Sequence, residues 1–180
     1  MAVYPRISMS DGTEAPSAEG LNAWKLEVKP GEARDVMQRI LEAAKNRHAD
    51  VLVVDGALVF GLEHIASAVF HARKAIAEGR NSSESLAMES LLYASGERQL
   101  SSAIRKMSVD DTTTSVVIAH LEGENLDRQK EWTPLPRTSV PKRDDLIRFG
   151  ILDEELATVN PGDRVDLVLE KIAAVDILKK

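Results

Sequence analysis

The chain contains no cysteine. Disulfides and thiolate chemistry are therefore excluded, and nothing in the composition asks for an oxidising compartment. Aromatic residues are scarce at 4%, so aliphatic side chains must fill the core and no platform for stacking bases is evident. Positive charge is in deficit: 29 acidic against 23 basic residues give a net charge of -6. Broad coverage of a nucleic-acid backbone, and with it duplex DNA as a partner, is disfavoured. A small basic patch serving one end of an RNA remains compatible. No apolar run approaches membrane-spanning length and no secretory pattern opens the chain, so the expectation is a cytoplasmic protein without a membrane partner. The phosphate-cradling patterns GxGxxG and GxxxxGK[ST] are missing, as is the nucleophile turn GxSxG. No catalytic residue, cofactor or metal site is assigned, and the expectation is a protein that is not an enzyme.

What is present suits one domain of 180 residues with a sizeable core. Strands are predicted at Val3–Ile7 and Trp24–Val28, joined by a mobile polar loop over 8–22. From Glu32 the period becomes helical to about Asn46. A buried strand follows at Val51–Val54, and the clearest helix runs from Leu62 to Glu78 with Gly79 just past its end. Ser82 or Ser83 is placed to cap a nearly all-apolar helix over Leu86–Ala94. Ser95-Gly96 turns the chain, with Ser95 available to cap the next helix. That helix points Leu100, Ala103, Ile104 and Met107 inward and Arg98, Ser102 and Arg105 outward. Ser115–Leu121 reads as a strand. Residues 122–142, with prolines at 134, 136 and 141, read as a surface excursion. Short helices are expected at Asp144–Phe149 and Asp153–Thr158. Asn160-Pro161 should open a longer final segment, helical by length although its start also alternates. The fold expected is α+β: one domain, 1–180, with several helices packed on a small mixed sheet. An all-helical fold is the rival.

Two features invite chemistry. His64 and His71 lie about two turns apart on the face opposite the apolar stripe, beside Ser67, Lys74 and Glu78. Solvent-facing histidines are the ordinary reading. A metal-dependent hydrolase using His64, His71 and His120 is the alternative, although zinc ligands on a helix sit more often one turn apart. Glu89 sits among Leu86, Leu92 and Tyr93, where an unpaired carboxylate would be expensive. Arg98 across the glycine corner, or backbone donors, would offset that cost.

The stretch ESLLYASGERQLSSAI, residues 89–104, and VDGALVFGLEHIASAVFHARKA, residues 54–75, resemble the PRPK-binding protein (TPRKB) family. Members of that family are the small non-catalytic subunit of the KEOPS complex. The resemblance runs from about Asp50 to His120 and more loosely through the tail. The family pattern falls on Glu89, Leu91, Leu92, Tyr93, Ser95, Gly96, Arg98, Gln99, Ala103 and Ile104, and upstream on His64, Ala68 and Ala72. It departs at Ser108, where a glycine is common. The resemblance implies binding to the kinase-like ATPase subunit of KEOPS and to the 3′ CCA end of tRNA, in support of threonylcarbamoyl-adenosine modification. Arg73, Lys74, Arg98 and Arg105 are the candidate tRNA contacts. Leu169, Ile172, Val175 and Leu178 are candidate partner contacts, with burial in the domain's own core as their other reading. A protein-interaction domain without RNA binding is a further alternative.

Overall fold

A computed structural model describes residues 17–179. The strand expected at Val3–Ile7 and residues 8–16 of the expected loop lie outside the described residues. The chain runs β1 (Asn22–Glu27), α1 (Ala33–Asn46), β2 (Asp50–Asp55), a 3-10 turn, α2 (Leu62–Ala77), α3 (Leu86–Ser95) and α4 (Leu100–Met107). It continues with β3 (Ser115–Glu122), β4 (Thr133–Pro134), α5 (Arg143–Phe149), α6 (Asp153–Leu156), a second 3-10 turn and α7 (Arg164–Leu178). The result is an α+β domain. The final segment is a helix throughout its length, so its strand reading falls away.

The sheet has the order β2-β3-β1-β4, and each neighbouring pair is antiparallel. The expected mixed sheet is thus corrected. β1 and β2 share a direction, as do β3 and β4, but β3 inserts between the first pair and β1 between the second, so no parallel ladder forms. Centrality buries β3 on both faces, with Val116, Val117, Ile118 and Ala119 at 1% exposure or less. Alternation sends Leu52, Val54, Val117 and Ala119 toward α2 and α3, and Val51, Val116 and Ile118 toward α1. The first side carries the larger core, which also takes in α5 and α7.

The excursion at 122–142 is tied down. Leu126, Trp132 and Leu135 are buried, and the Trp132 ring lies 5.5 Å from that of Trp24 on the α1 side. Thr133–Pro134 pairs with Trp24 and Lys25, and the Leu135 N–H donates to the Ala23 carbonyl (2.9 Å). The carbonyls of Pro136 and Arg137 then accept the N–H groups of Leu62 (2.8 Å) and Glu63 (3.1 Å). These are first-turn donors of α2 that have no partner within the helix.

Several local expectations change. Ser85, not Ser82 or Ser83, caps α3: its Oγ accepts the Met88 N–H at 3.3 Å. The Ser95 hydroxyl does not cap α4. It donates to the Leu92 carbonyl (2.8 Å) and accepts the Glu97 N–H (3.2 Å), bracing the turn itself. Ile104 is 39% exposed rather than inward, because the short α4 turns only Ala103 and Met107 fully into the core. Ser108 adopts an extended conformation that any residue accepts, so its departure from the family pattern costs the corner nothing. His64, Ser67 and, for the most part, His71 are buried, because α2 is covered by α3 and α7 as well as supporting the core. The expected solvent face of α2 is thereby corrected at those three positions.

Two glycines in α2's flanks separate conformational from steric cost. Gly79 has φ +65° with open space around a added Cβ, while Gly61 has φ +110° and a Cβ there would lie 2.7 Å from the Arg137 carbonyl oxygen. Gly79→Ala should cost about 1 kcal/mol. Gly61→Ala should cost more than about 3 kcal/mol, since strain and a backbone clash add. Urea unfolding of the two variants measures the difference, and equal costs would contradict the close approach of the 137–138 backbone.

Candidate functional site

α3 is apolar nearly all round and sits at the centre of the helical layer, yet it carries Glu89 at 0% exposure. Glu89 Oε2 accepts the N–H groups of Ser82 (2.9 Å) and Ser83 (3.0 Å), and Oε1 accepts the ammonium of Lys179. The Lys179 side chain is itself only 5% exposed. Backbone donors were one of the two expected partners. Arg98, the other, is exposed beyond the corner and is not the counter-ion. Glu89 lies six residues before the end of α3, about 9 Å down the helix from the turn. The C-terminal helix brings its last turn there instead.

One turn on, the Tyr93 hydroxyl donates to Asp176 Oδ1 (2.6 Å), and His71 Nδ1 lies 2.7 Å from Oδ2. An ionised carboxylate only accepts, so Nδ1 carries the proton. The His71 ring stacks on Tyr93 at 5.6 Å, the Lys179 ammonium lies 5.0 Å from the Tyr93 ring centroid, and Arg80 Nη1 approaches Asp176 Oδ1 at 3.4 Å. Burial alone would push the Asp176 carboxyl up. Hydrogen bonds from Tyr93 and His71, with the charges of His71 and Arg80, outweigh it and hold the group below its ordinary value. Burial pushes the Tyr93 phenol up, and its bond to Asp176 and the charges of Asp176 and Glu89 push it further.

At the other end of α3, Gly96 turns the chain at φ +67°. The Lys106 ammonium donates to the Ser95 carbonyl (2.5 Å) and to Glu97 Oε1 (3.1 Å), and lies 4.2 Å from the Phe149 ring centroid. Lys171 donates to the Gly150 carbonyl at the end of α5. Each helix terminus therefore has an ammonium on its unpaired carbonyl end, where the helix dipole favours it. Burial lowers the Lys106 pKa, partly opposed by Glu97. Arg98 and Arg105 are exposed on this corner and on α4, and neither has an ion-pair partner among the described residues.

The four cations expected to form one patch do not. His64, near the start of α2, touches Ala94 at the end of α3, and Arg73 and Lys74 lie about 14 Å further along α2. Arg73 is also engaged, donating to the Leu121 carbonyl (3.0 Å) and lying 3.9 Å from Glu122. Of the four apolar tail residues, Ile172 and Val175 are at 0% exposure and Leu169 is partly buried against the core. Ile172 and Val175 hold α7 to its own domain and are unavailable to a partner. Leu178 is 50% exposed and stands beside Ile177 at 70%, which sequence reasoning passed over. Its signal was an apolar residue off the stripe formed by Val165, Val168, Ile172 and Val175.

The histidines do not converge. His71 serves Asp176, and the His120 Nε2 faces the Glu124 carbonyl at 3.1 Å. His64 Nε2 lies 2.8 Å from the Ala94 carbonyl and Nδ1 accepts the Phe60 N–H at 3.2 Å. These partners require the neutral ring with its proton on Nε2. No group of three or more potential metal ligands gathers among the described residues. The hydrolase reading therefore loses its site. Burial drives the His64 pKa down to about 4, opposed by the bond to Ala94 and aided by the charge of Lys106.

A pH dependence of stability follows. Below its ordinary pKa near 6.5 the unfolded chain takes up a proton that folded His64 refuses. Unfolding free energy should be flat in this group above pH 6.5 and fall as pH drops toward about 4, by at most about 3 kcal/mol. Urea titrations across that range measure it. A His64→Leu variant, less stable overall, should lose this segment of the slope, and an unchanged slope in the variant would assign the effect elsewhere.

Among the described residues no helix is long and apolar enough to cross a membrane. A search of curated proteins finds no match to the chain. The family model described as "Kinase binding protein CGI-121" matches residues 30–146, from the turn before α1 into α5. That span contains α2, the whole of the buried helix α3 and the glycine corner, and covers more than half of the chain. The chain thus belongs to the CGI-121 family of kinase-binding proteins, the TPRKB family that its corner motif resembles.

Proposed function

We propose that this kinase-binding protein is a non-catalytic subunit of a cytoplasmic KEOPS complex. In this reading it docks the kinase-like ATPase subunit and grips the 3′ CCA end of tRNA in support of threonylcarbamoyl-adenosine modification. The observation that carries the RNA half is charge placement. In a chain of net charge -6, Arg98 and Arg105 stand exposed with no ion-pair partner among the described residues. Cations left unneutralised on an acidic protein suit a few phosphates rather than a long backbone track. Arg73 and Lys74 belong to a different part of the surface and are left out of the patch. The kinase half rests on the family, and the exposed pair Ile177 and Leu178 at the end of α7 supplies an apolar contact of the kind that anchors an interface.

Two measurements test the two halves separately. Arg98→Glu with Arg105→Glu should weaken tRNA binding by tenfold or more and flatten its salt dependence by about one unit of slope per lost phosphate contact. The corresponding Arg73 and Lys74 reversals should leave it nearly unchanged. Equal affinity for tRNA with and without its terminal CCA would reject end recognition. Mixing with the partner ATPase should give a 1:1 complex by mass, weakened by Ile177→Asp with Leu178→Asp while the free protein stays folded. Failure of the doubly substituted protein to lose affinity would move the kinase interface elsewhere.

A further inference from the structure

The carboxylate of Glu89 joins two segments far apart in sequence. One oxygen holds the N–H groups of Ser82 and Ser83 in the loop between α2 and α3, and the other holds Lys179 at the end of α7. All three donors converge on a group with no exposure. The turn just before is anchored independently: Asp176 is bound by Tyr93, His71 and Arg80, and Val175 is in the core. Among the described residues after Asp176, Ile177 and Leu178 are exposed and Lys179 points back inward.

We propose that residues 177–179 form a charge-held latch that opens as a unit about Asp176 and is coupled through Glu89 to the loop at 81–85. Withdrawal of Lys179 leaves a buried carboxylate without its counter-charge, a state the protein relieves by admitting water. The Ser82 and Ser83 N–H groups bind the same carboxylate, so water that reaches it through the vacated site competes with those two bonds and loosens the loop with it. The coupling is reciprocal: loosening the loop weakens the hold on Lys179. Any partner that grips Ile177 and Leu178 acts on the latch directly, and the loop at the far side of Glu89 reports it. This device goes beyond the proposed function and does not depend on the partner's identity.

Hydrogen exchange on the full chain reads both ends at once. Lys179→Met keeps the aliphatic stem and removes the charge. It should speed exchange at the Ser82 and Ser83 amides by tenfold or more, together with residues 177–179. Protection over Val168–Ile172 should stay at the parent level, and Lys179→Arg should restore most of the protection at both ends. Acceleration confined to 177–179, with Ser82 and Ser83 unchanged, would overturn the coupling. Loss of protection along all of α7 together would overturn the latch as a separate unit. Because the core contacts of Val168, Ile172 and Val175 are untouched, the variant retains the fold needed for the measurement.

Discussion

A carboxylate at the centre of an apolar helix must find countercharge and donors or it cannot stay buried. Glu89 meets that demand by drawing in the loop before its own helix and the residue that closes α7. The rest of the helical layer follows from the second connection. Lys179 at Glu89 sets the end of α7 against the first turn of α3, and the two helices run antiparallel. Asp176 then falls beside Tyr93, and Lys171 beside Gly96. The polar contacts thus set the register, and Val168, Ile172 and Val175 fill the space between them. Burial supplies most of the stabilisation, since it removes apolar surface from water in proportion to area. The charged contacts lie at both ends of that apolar seam and fix its register.

The same logic explains where the positive charge has gone. Lys106 and Lys171 close the carbonyl ends of α3 and α5, Lys179 neutralises Glu89, Arg80 supports Asp176, and Arg73 holds the C-terminal end of β3. These cations are internal fasteners. A count of 23 basic residues therefore overstates the charge available to a ligand, and proximity along a helix says little about a shared surface. Lys74 and Arg98 both looked outward by periodicity, but they stand toward opposite ends of the α2–α3 pair. What remains unengaged at the corner is small, Arg98 and Arg105.

The elements were legible because their periods are strong. β2, α2, α3 and the turn at Gly96 can all be read from alternation, helical spacing and a single glycine. The histidines were less legible, since a stripe drawn from Ile65, Val69 and Ala72 assumes that a helix is buried on one side. α2 is buried on more than one, so His64 and Ser67 enter the core and the ring must find its own donors and acceptors. Trp132 and Leu126 were hidden by a polar, proline-containing context. Their burial depends on Trp24 and α1, which are distant in sequence. The partner of Glu89 was beyond any local rule: sequence proximity pointed to Arg98, nine residues on, while the true partner is ninety residues away.

That distance bears on how the tail is understood. The matched family region ends at residue 146, before α7 begins. Yet Glu89, inside the matched region, has its counter-charge beyond it, as does Tyr93 its acceptor. A domain cut at the family boundary would leave a buried carboxylate with two backbone donors and no cation, and would expose the surface that Ile172 and Val175 cover. The tail is therefore part of the core by the same physical demand that fixes the corner motif. Its last turn differs from the rest only in being held by charge rather than by apolar burial, and this places the most easily opened part of α7 beside its most exposed apolar residues.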